Sequence, residues 1–486
     1  MAGTNAGTAA ALPLQDATPE EKARIQIGLI GMGDMGRLYA SRFAAAGWKH
    51  INVCDQPQHF EGLKKEYERN ENINVFLNGH LVSRISDFII YSVEAAYLRD
   101  AVAAYGPSTK PGAIVSGQTS VKAPEKKAFE AHLPQDVLII SCHSLHGPKV
   151  DTAGQPLVLI QHRAPDASMR LVERIFACFK SRYVYLSYEE HDTVTANTQA
   201  VTHAAFLSMG TAWRCANDYP WETTRYPGGI ETVKINIMLR IYSAKWHVYA
   251  GLAILNPAAR IQVEQYATST TQLFKLMIAE REDDLMQRVF EGRRKVFGWK
   301  DDEEGAGGGD GAAPQAAGSN AGKVPRKPIL LSDTLLDRFH LAARRAITDG
   351  QQSAAAPTAQ SPLPNSHLAL LAIVDCWSAL GIDPYAHLEL AATPVFRIWI
   401  GVCEYLFRSP HRLRTACKAA VQGRDYRTDD TEFTIAARGW AEAVRFGNFD
   451  LYKYRFEETR AFFEPRFEEA AKAGAEMLKV VAVERP

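Results

Sequence analysis

Ile27-Gly28-Leu29-Ile30-Gly31-Met32-Gly33-Asp34-Met35-Gly36 decides the reading of this chain. Ile25 to Ile30 is apolar enough for a buried first strand of a parallel sheet, and the glycines follow at once. Met35 to Ala46 then has helical spacing, with Leu38, Phe43 and Ala44 to Ala46 on its packing face, and Gly47 stops it. Ile51 to Cys54 predicts a second strand that ends in Asp55, about 20 residues past the glycines. A G-x-G-x-x-G turn between strand and helix, with an acid at that distance, is the dinucleotide-binding fingerprint. Gly31 permits the tight turn, Gly33 lets the backbone approach a pyrophosphate, and Gly36 lets helix and strand pack closely. Phosphates would then rest on a helix N-terminus, where free N–H groups and the dipole favour anions. Gly31, Met32, Gly33, Asp34, Met35, Gly36 and Asp55 are therefore the expected cofactor contacts. The competing reading is a glycine turn in an α/β domain that binds nothing.

Working outward, Phe88 to Val93, Ala113 to Ser116 and Val137 to Ser141 are further short apolar runs. Leu157 to Gln161 and Tyr183 to Leu186 can continue the sheet. Strands alternating with helices imply βαβ units and a parallel sheet. From about Glu189 long helical spacings take over: Glu189 to Asn217, Ile230 to Ile254 and Ala258 to Phe297, then Asn365 to Leu380, Pro394 to Phe407 and Thr431 to Lys479. The expected fold is an α/β, Rossmann-like N-terminal domain followed by an all-α C-terminal region. The divisions run 1–24, a disordered tail; 25–187, the dinucleotide-binding domain; 188–300, a helical substrate and dimerisation domain; 301–327, a flexible Gly/Ala-rich insert; and 328–486, a helical extension. Gly350 to Pro364 is a second expected loop.

Composition narrows the function. Lys plus Arg and Asp plus Glu are both 55, and this balance argues against nucleic acid or an anionic membrane as the main partner. The seven cysteines are scattered with no C-x-x-C pair, which favours a reducing compartment over disulfides or zinc. The N-terminus has neither the basic start nor the apolar core of a signal peptide, and no apolar run approaches a membrane span of about 20 residues. A cytoplasmic protein is expected.

Four other segments carry candidate chemistry. In an open parallel sheet the loops after strand C-termini line the ligand crevice. His143 and His146 follow the fifth apolar run, and imidazole is the side chain best suited to take a proton near neutral pH. No carboxylate lies nearby and there is no H-E-x-x-H frame, so no metal is expected. One histidine as base with the other in support is the reading; two ordinary loop histidines is its rival. Ser120, in Gln118-Thr119-Ser120-Val121-Lys122, either donates to substrate or base, or with Thr119 caps the following helix. Thr195, Gln199 and His203 recur at i, i+4 and i+8, a polar line on an otherwise apolar helix that needs a partner, either a ligand or another helix. His191 does not share that face. Arg240, in a strongly apolar helical stretch with Lys245 close by, offers a planar fork for a carboxylate, or else an ion pair with Glu231 or a later acid.

Together these residues resemble prephenate dehydrogenase, in its longer, fungal-type, NADP-dependent form. The resemblance runs from about Ile25 to Lys479 and rests on IGLIGMGDMG, GHLVSR, IIYSVEA, GQTSVK, HSLHGPKV, YEEHDTVTANTQAVTHAAFLSMG, NIMLRIYSAKWHVYAGLAILNP, PNSHLALLAIVD and FGNFDLYKYRF. The first 20 residues and Gly305 to Gly322 fall outside it. It implies oxidative decarboxylation of prephenate to 4-hydroxyphenylpyruvate and CO2 in tyrosine biosynthesis, with hydride transfer to NADP. It implies His143 as the catalytic histidine and Ser120 as the serine that bonds this histidine or the substrate hydroxyl. His203 takes the place of the second histidine of a helical H-x-x-H, whose first is Ala200 here. Arg240 takes the place of the arginine that holds a prephenate carboxylate, a role Lys234 or Lys245 can share. On local chemistry Asp55 leans instead to NAD, because an acid at that strand end usually bonds a free ribose hydroxyl.

The expectation is thus an NADP-dependent prephenate dehydrogenase, a homodimer in the cytoplasm, with His143 and Ser120 catalytic and His203, Arg240, Gln199 and Lys245 on the substrate. Its rivals are a dehydrogenase for arogenate, one of the β-hydroxyacid type, and an NADP-binding regulator without catalysis. The β-hydroxyacid type would use a lysine in the helical domain and has no need of HSLHGPK. A regulator needs neither a base nor a substrate cation.

Overall fold

The computed structural model describes residues 16–222, 229–305, 329, 365–391, 393–424, 426–468, 470, 471 and 474. Most of the Gly/Ala-rich insert, the loop to Pro364 and most of the N-terminal tail lie outside these residues. The chain divides into two compact units, Met1–His191 and Asp192–Pro486.

The first unit is built on an eight-stranded sheet in the order β3-β2-β1-β4-β5-β6-β7-β8. Its elements are β1 (Gln26–Ile30), α1 (Asp34–Ala45), β2 (His50–Cys54), β3 (Ile73–Val75), β4 (Phe88–Tyr91), β5 (Ile114–Gly117), α2 (Ala123–His132), β6 (Leu138–Ser144), β7 (Pro156–Arg163) and β8 (Arg182–Tyr185). Both faces are covered, so the strands are apolar throughout. Period-2 alternation sorts their side chains: Ile27, Leu29, Phe88, Ile90 and Ile140 pack with Phe43 and Phe176. Ile30, Ile89, Tyr91, Val115 and Ile139 pack with Val102 and Phe129 in a separate cluster. β1 to β6 are parallel. The expectation of a parallel sheet fails at the next strand, because β7 runs antiparallel to β6. The link between them, residues 145–155, contains no helix. A parallel return needs a crossover of a dozen or more residues, usually helical, so this chain turns straight back. β3 has three residues, one of them Asn74, too short and too polar to show as an apolar run.

The second unit is helical. Its first helix begins in the first unit: α3 (Tyr188–Thr195) passes through a π-helical turn (Ala196–Ala200) into α4 (Val201–Cys215). Then follow α5 (Ile230–Tyr242), α6 (Trp246–Leu255) and α7 (Pro257–Ile278), and after the insert α8 (Leu368–Leu380), α9 (Arg427–Arg445) and α10 (Phe449–Phe463), among others. The single helix expected over Ile230 to Ile254 is broken at Ser243–Lys245, where the Ser243 hydroxyl donates to the Arg240 carbonyl at 2.8 Å. Residues on both sides of the insert, from Val201 to Phe290 and from Leu368 to Ala470, share one hydrophobic core. Among the described residues no single helix is long and apolar enough to cross a membrane.

Candidate functional site

The glycine turn has the geometry its spacing implies. Gly31 sits at φ +101°, and a Cβ there would lie 2.4 Å from the Ser92 carbonyl oxygen. A Cβ on Gly36 would lie 2.2 Å from the Gly31 oxygen, whereas Gly33 faces open space. Gly33 is the N-cap of α1 and puts no side chain on the first N–H groups. These donors, the dipole behind them and the clear approach over Gly33 fit a dinucleotide pyrophosphate. Met32 is buried and Met35 half-buried beneath this edge, while Asp34 is exposed in the first turn of α1.

Asp55 is engaged by the protein itself. Its Oδ2 accepts the Met32 N–H at 2.6 Å, its Oδ1 accepts the Gln56 N–H at 2.7 Å, and His59 Nδ1 stands 3.1 Å away. The carboxylate ties the glycine turn to the end of β2 and has a potential cation beside it. The local argument for NAD, which needs an acid turned to the ribose, loses its basis here.

His143 departs from its expected place. It is not on a loop but in β6, because pairing with β7 carries that strand on to Ser144, with His143 opposite Val158. It is buried, and its Nδ1 lies 2.8 Å from Nε2 of the fully buried His191. The rings are 5.0 Å apart and tilted by 58°. Burial, with positive charge on His191, Lys122 and His146 adding to it, holds the His143 pKa well below the usual histidine value. Burial and Lys122 do the same to His191. His143 is therefore a neutral base at pH 7, with Nε2 as the nitrogen that His191 leaves open.

His146 turns away, its Nδ1 on the Gly147 carbonyl oxygen at 3.0 Å, so the supporting histidine is His191. It stands 48 residues along the chain, and no periodicity links a strand position to a helix position at that distance. Its sequence neighbourhood, Glu189-Glu190-His191-Asp192, was the available signal. Ser120 is half-buried beyond β5, with no hydrogen bond to His143 among the described residues. Nor does it cap α2, whose N-cap is Lys122, while Thr119 turns its hydroxyl to Glu125 at 2.6 Å.

In the helical unit Thr195, Gln199 and His203 do not form one regular i, i+4, i+8 line. The π-helical turn over Ala196–Ala200 widens the spacing between them. Thr195 is buried and locally used, donating to the Asp192 carbonyl at 3.2 Å and meeting Asn256 Nδ2 at 3.3 Å. Gln199 is half-buried. His203 meets Tyr249 edge to face at 4.7 Å, and its Nδ1 is buried without a hydrogen-bond partner. Burial pushes its pKa down to about 4. Burial pushes Tyr249 up to about 12 against the pull of the Arg240 charge, which places Arg240 beside this ring pair.

Arg240 is exposed in the last turn of α5 and makes no ion pair among the described residues. Its expected alternative partner, Glu231, pairs instead with Lys234 and with His367 at 3.1 Å. That commits Lys234, a reserve anchor, elsewhere. Lys245 is the exposed N-cap of α6. Tyr249 went unremarked in sequence because a lone tyrosine in an apolar helix reads as core. Among the described residues no cluster of three or more His, Cys, Asp or Glu is placed to hold a metal.

A glycine turn on a Rossmann-like sheet, followed by a helical unit, defines a nicotinamide-nucleotide dehydrogenase. Comparison with known proteins agrees. The family model for a 6-phosphogluconate dehydrogenase C-terminal domain, in its tyrosine-enzyme-like branch, matches residues 200–306 and 315–483. The one described as NADP oxidoreductase coenzyme F420-dependent matches residues 26–120. The chain is 49% identical over 457 residues to the probable prephenate dehydrogenase [NADP(+)] of Schizosaccharomyces pombe, covering 94% of this chain and 97% of that one. It is 48% identical over 470 residues to the prephenate dehydrogenase [NADP(+)] of Saccharomyces cerevisiae, covering 96% of each. Among solved structures it is similar to prephenate dehydrogenase from A. aeolicus in complex with hydroxyphenyl propionate and NAD+, at 20% identity and a TM-score of 0.42 over 55% of this chain and 94% of that chain. The chain belongs to the NADP-dependent prephenate dehydrogenase family.

Proposed function

We propose that this chain converts prephenate to 4-hydroxyphenylpyruvate and CO2 in tyrosine biosynthesis, with NADP as hydride acceptor and His143 as base. The observation that carries the base assignment is the buried His143–His191 bond of 2.8 Å at the end of β6. With Nδ1–H donated to His191, the His143 Nε2 lone pair takes the proton of the C4 hydroxyl as the hydride leaves C4. The imidazolium so formed keeps its Nδ1–H on a neutral acceptor, which stabilises the charge where it develops. The C1–carboxylate bond then breaks, its electrons make the ring aromatic, and the C4 oxygen becomes a phenolate. His143 returns the proton to that oxygen, so the net reaction releases none. Bound NADP supplies the hydride acceptor, and the residues that hold it are Gly31, Met32, Gly33, Asp34, Met35 and Gly36, with Asp55 bracing the turn.

On the substrate we assign Arg240 to a prephenate carboxylate. An exposed guanidinium without an ion pair among the described residues offers two parallel N–H donors for that group. His203, with its buried unpartnered Nδ1, is a further substrate contact, joined by Gln199 and Lys245. Ser120 bonds the substrate hydroxyl or His143 in the bound state. The proposal extends to a homodimer in the cytoplasm with no nucleic-acid or membrane partner; even charge and seven free cysteines support that setting. Sedimentation equilibrium measures the assembly.

The deciding experiment mixes protein, NADP and either prephenate or arogenate and follows the absorbance of reduced nicotinamide. Turnover with prephenate is expected, and His143→Asn should lower kcat by a factor on the order of 10² to 10⁴ while NADP still binds. Parental turnover in that variant would remove His143 from the role.

A further inference from the structure

The Rossmann-like unit buries one ion pair completely: Lys122 Nζ meets Glu125 Oε2 at 2.9 Å, with neither side chain exposed. Taking two charges out of water is costly unless every remaining donor and lone pair is met. Here the partners lie at informative places. β5 and β6 pair at Ile114–Leu138 and Val115–Ile139 and then part. Lys122 Nζ bridges the gap, donating to the Gly117 carbonyl at 2.9 Å and to the Cys142 carbonyl at 2.8 Å. Cys142 is the residue immediately before His143. The Glu125 carboxylate accepts the hydroxyls of Thr119 and Ser141. Ser141 in turn stands 2.7 Å from the Tyr188 hydroxyl. Tyr188 opens α3, one turn before His191. Even the absence of a side chain at Gly117 belongs to this arrangement, since a Cβ there would lie 2.3 Å from the Glu125 carboxylate.

We propose that the buried Lys122–Glu125 pair is a positioning element for the histidine pair, clamping the main chain before His143 through Cys142 and before His191 through Ser141 and Tyr188. This rests on the reading of His143 as base. A lysine confined to fold stability needs a carboxylate and any two carbonyls. This one holds the carbonyl adjacent to the proposed base and, through Glu125, the helix that carries that base's partner. Its charge has a second effect: after burial itself, it is among the causes that keep both imidazoles neutral.

The test uses the full chain labelled with 15N in its histidines. His143 signals are identified by their loss in His143→Asn. Lys122→Met and Lys122→Met/Glu125→Gln are then compared with the parent; the double variant removes both charges together and serves if the single one does not fold. The expected result is a changed tautomer pattern for His143, with kcat lower on the order of tenfold to a hundredfold and NADP affinity kept. The KM for prephenate should move less than kcat. His143 signals at their parental positions in a folded variant, or a parental kcat, would overturn the proposal. Should His143→Asn itself turn over normally, the base assignment fails, while the 15N pattern still decides the positioning role.

Discussion

Replacing His191 by Phe tests the base assignment where it is most exposed. The substitution keeps a ring in the buried site and removes the acceptor 2.8 Å from His143 Nδ1. Between neutral rings such a bond is worth about 1 kcal/mol; once His143 carries the substrate proton it is charge-assisted and worth about 1.5 to 3 kcal/mol. Only the part that grows toward the transition state accelerates the reaction. That part is about 0.5 to 2 kcal/mol, or roughly threefold to thirtyfold in kcat at about 1.36 kcal/mol per factor of ten. A loosened His143 ring adds to the loss. A second cost appears in stability, since the His143 Nδ1–H is left buried without a partner, a penalty of about 1 to 3 kcal/mol. His191→Gln restores an acceptor oxygen and should recover part of both losses. Steady-state kinetics with prephenate, a thermal melt and an NADP titration on the same preparation separate these effects. A parental kcat in His191→Phe, with His143→Asn inactive, would refute the reasoning: the base would then act without its partner.

Arg240→Gln should raise KM for prephenate more than about tenfold, the scale of a lost charge-assisted contact. Its melting temperature should stay at the parental value, because the guanidinium has no ion pair among the described residues; a lower melting temperature with unchanged KM would make the residue structural. Stability should fall on acidification. The unfolded chain binds a proton on His203 near 6.5, and the native fold resists it down to about 4, so this contribution is lost as pH drops through that window. Glu231 is held at about 2 by Lys234 and His367 against the effect of burial, and its contribution goes below 4.5. Urea titrations from pH 7 to pH 3 measure both, and a flat profile between 7 and 4 would show that His203 is solvated. Gly36→Ala sets a methyl group 2.2 Å from a main-chain oxygen, so NADP affinity and melting temperature should both drop; unchanged affinity by NADPH fluorescence would contradict the close packing of that turn.

Much of the fold was legible because its signals are local. The turn from Gly31 to Gly36, the stop at Gly47 and the apolar runs of β1, β2, β4 and β5 each announce themselves within a few residues. What was not legible depends on partners distant in sequence. The extension of β6 to Ser144 is set by β7, and it moves His143 from a loop into a strand. The reversal of β7 follows from a helix missing in the link, which an apolar run cannot reveal. His191 was judged against the face of its own helix, whereas its partner stands on a strand. The π-helical turn, the break at Ser243–Lys245 and the use of both Asp55 oxygens by backbone N–H groups are likewise products of surroundings that spacing does not encode.

The common core of the helical unit has a consequence for how this protein can be cut and evolved. Phe206, Met238 and Leu273 before the insert pack with Trp377, Trp399 and Phe456 after it, and Trp440 reaches back to the Thr211 hydroxyl at 2.9 Å. Each large side chain of this kind loses roughly 1.5 to 3 kcal/mol when its burial is undone. The later helices are therefore not an accessory that can be trimmed. A chain ended near residue 300 would leave an apolar surface uncovered and should aggregate rather than fold. A backbone nick within the insert, by contrast, would leave two fragments with every reason to remain together. The helical half is one cooperative object written in two instalments, and selection on either instalment is felt by both.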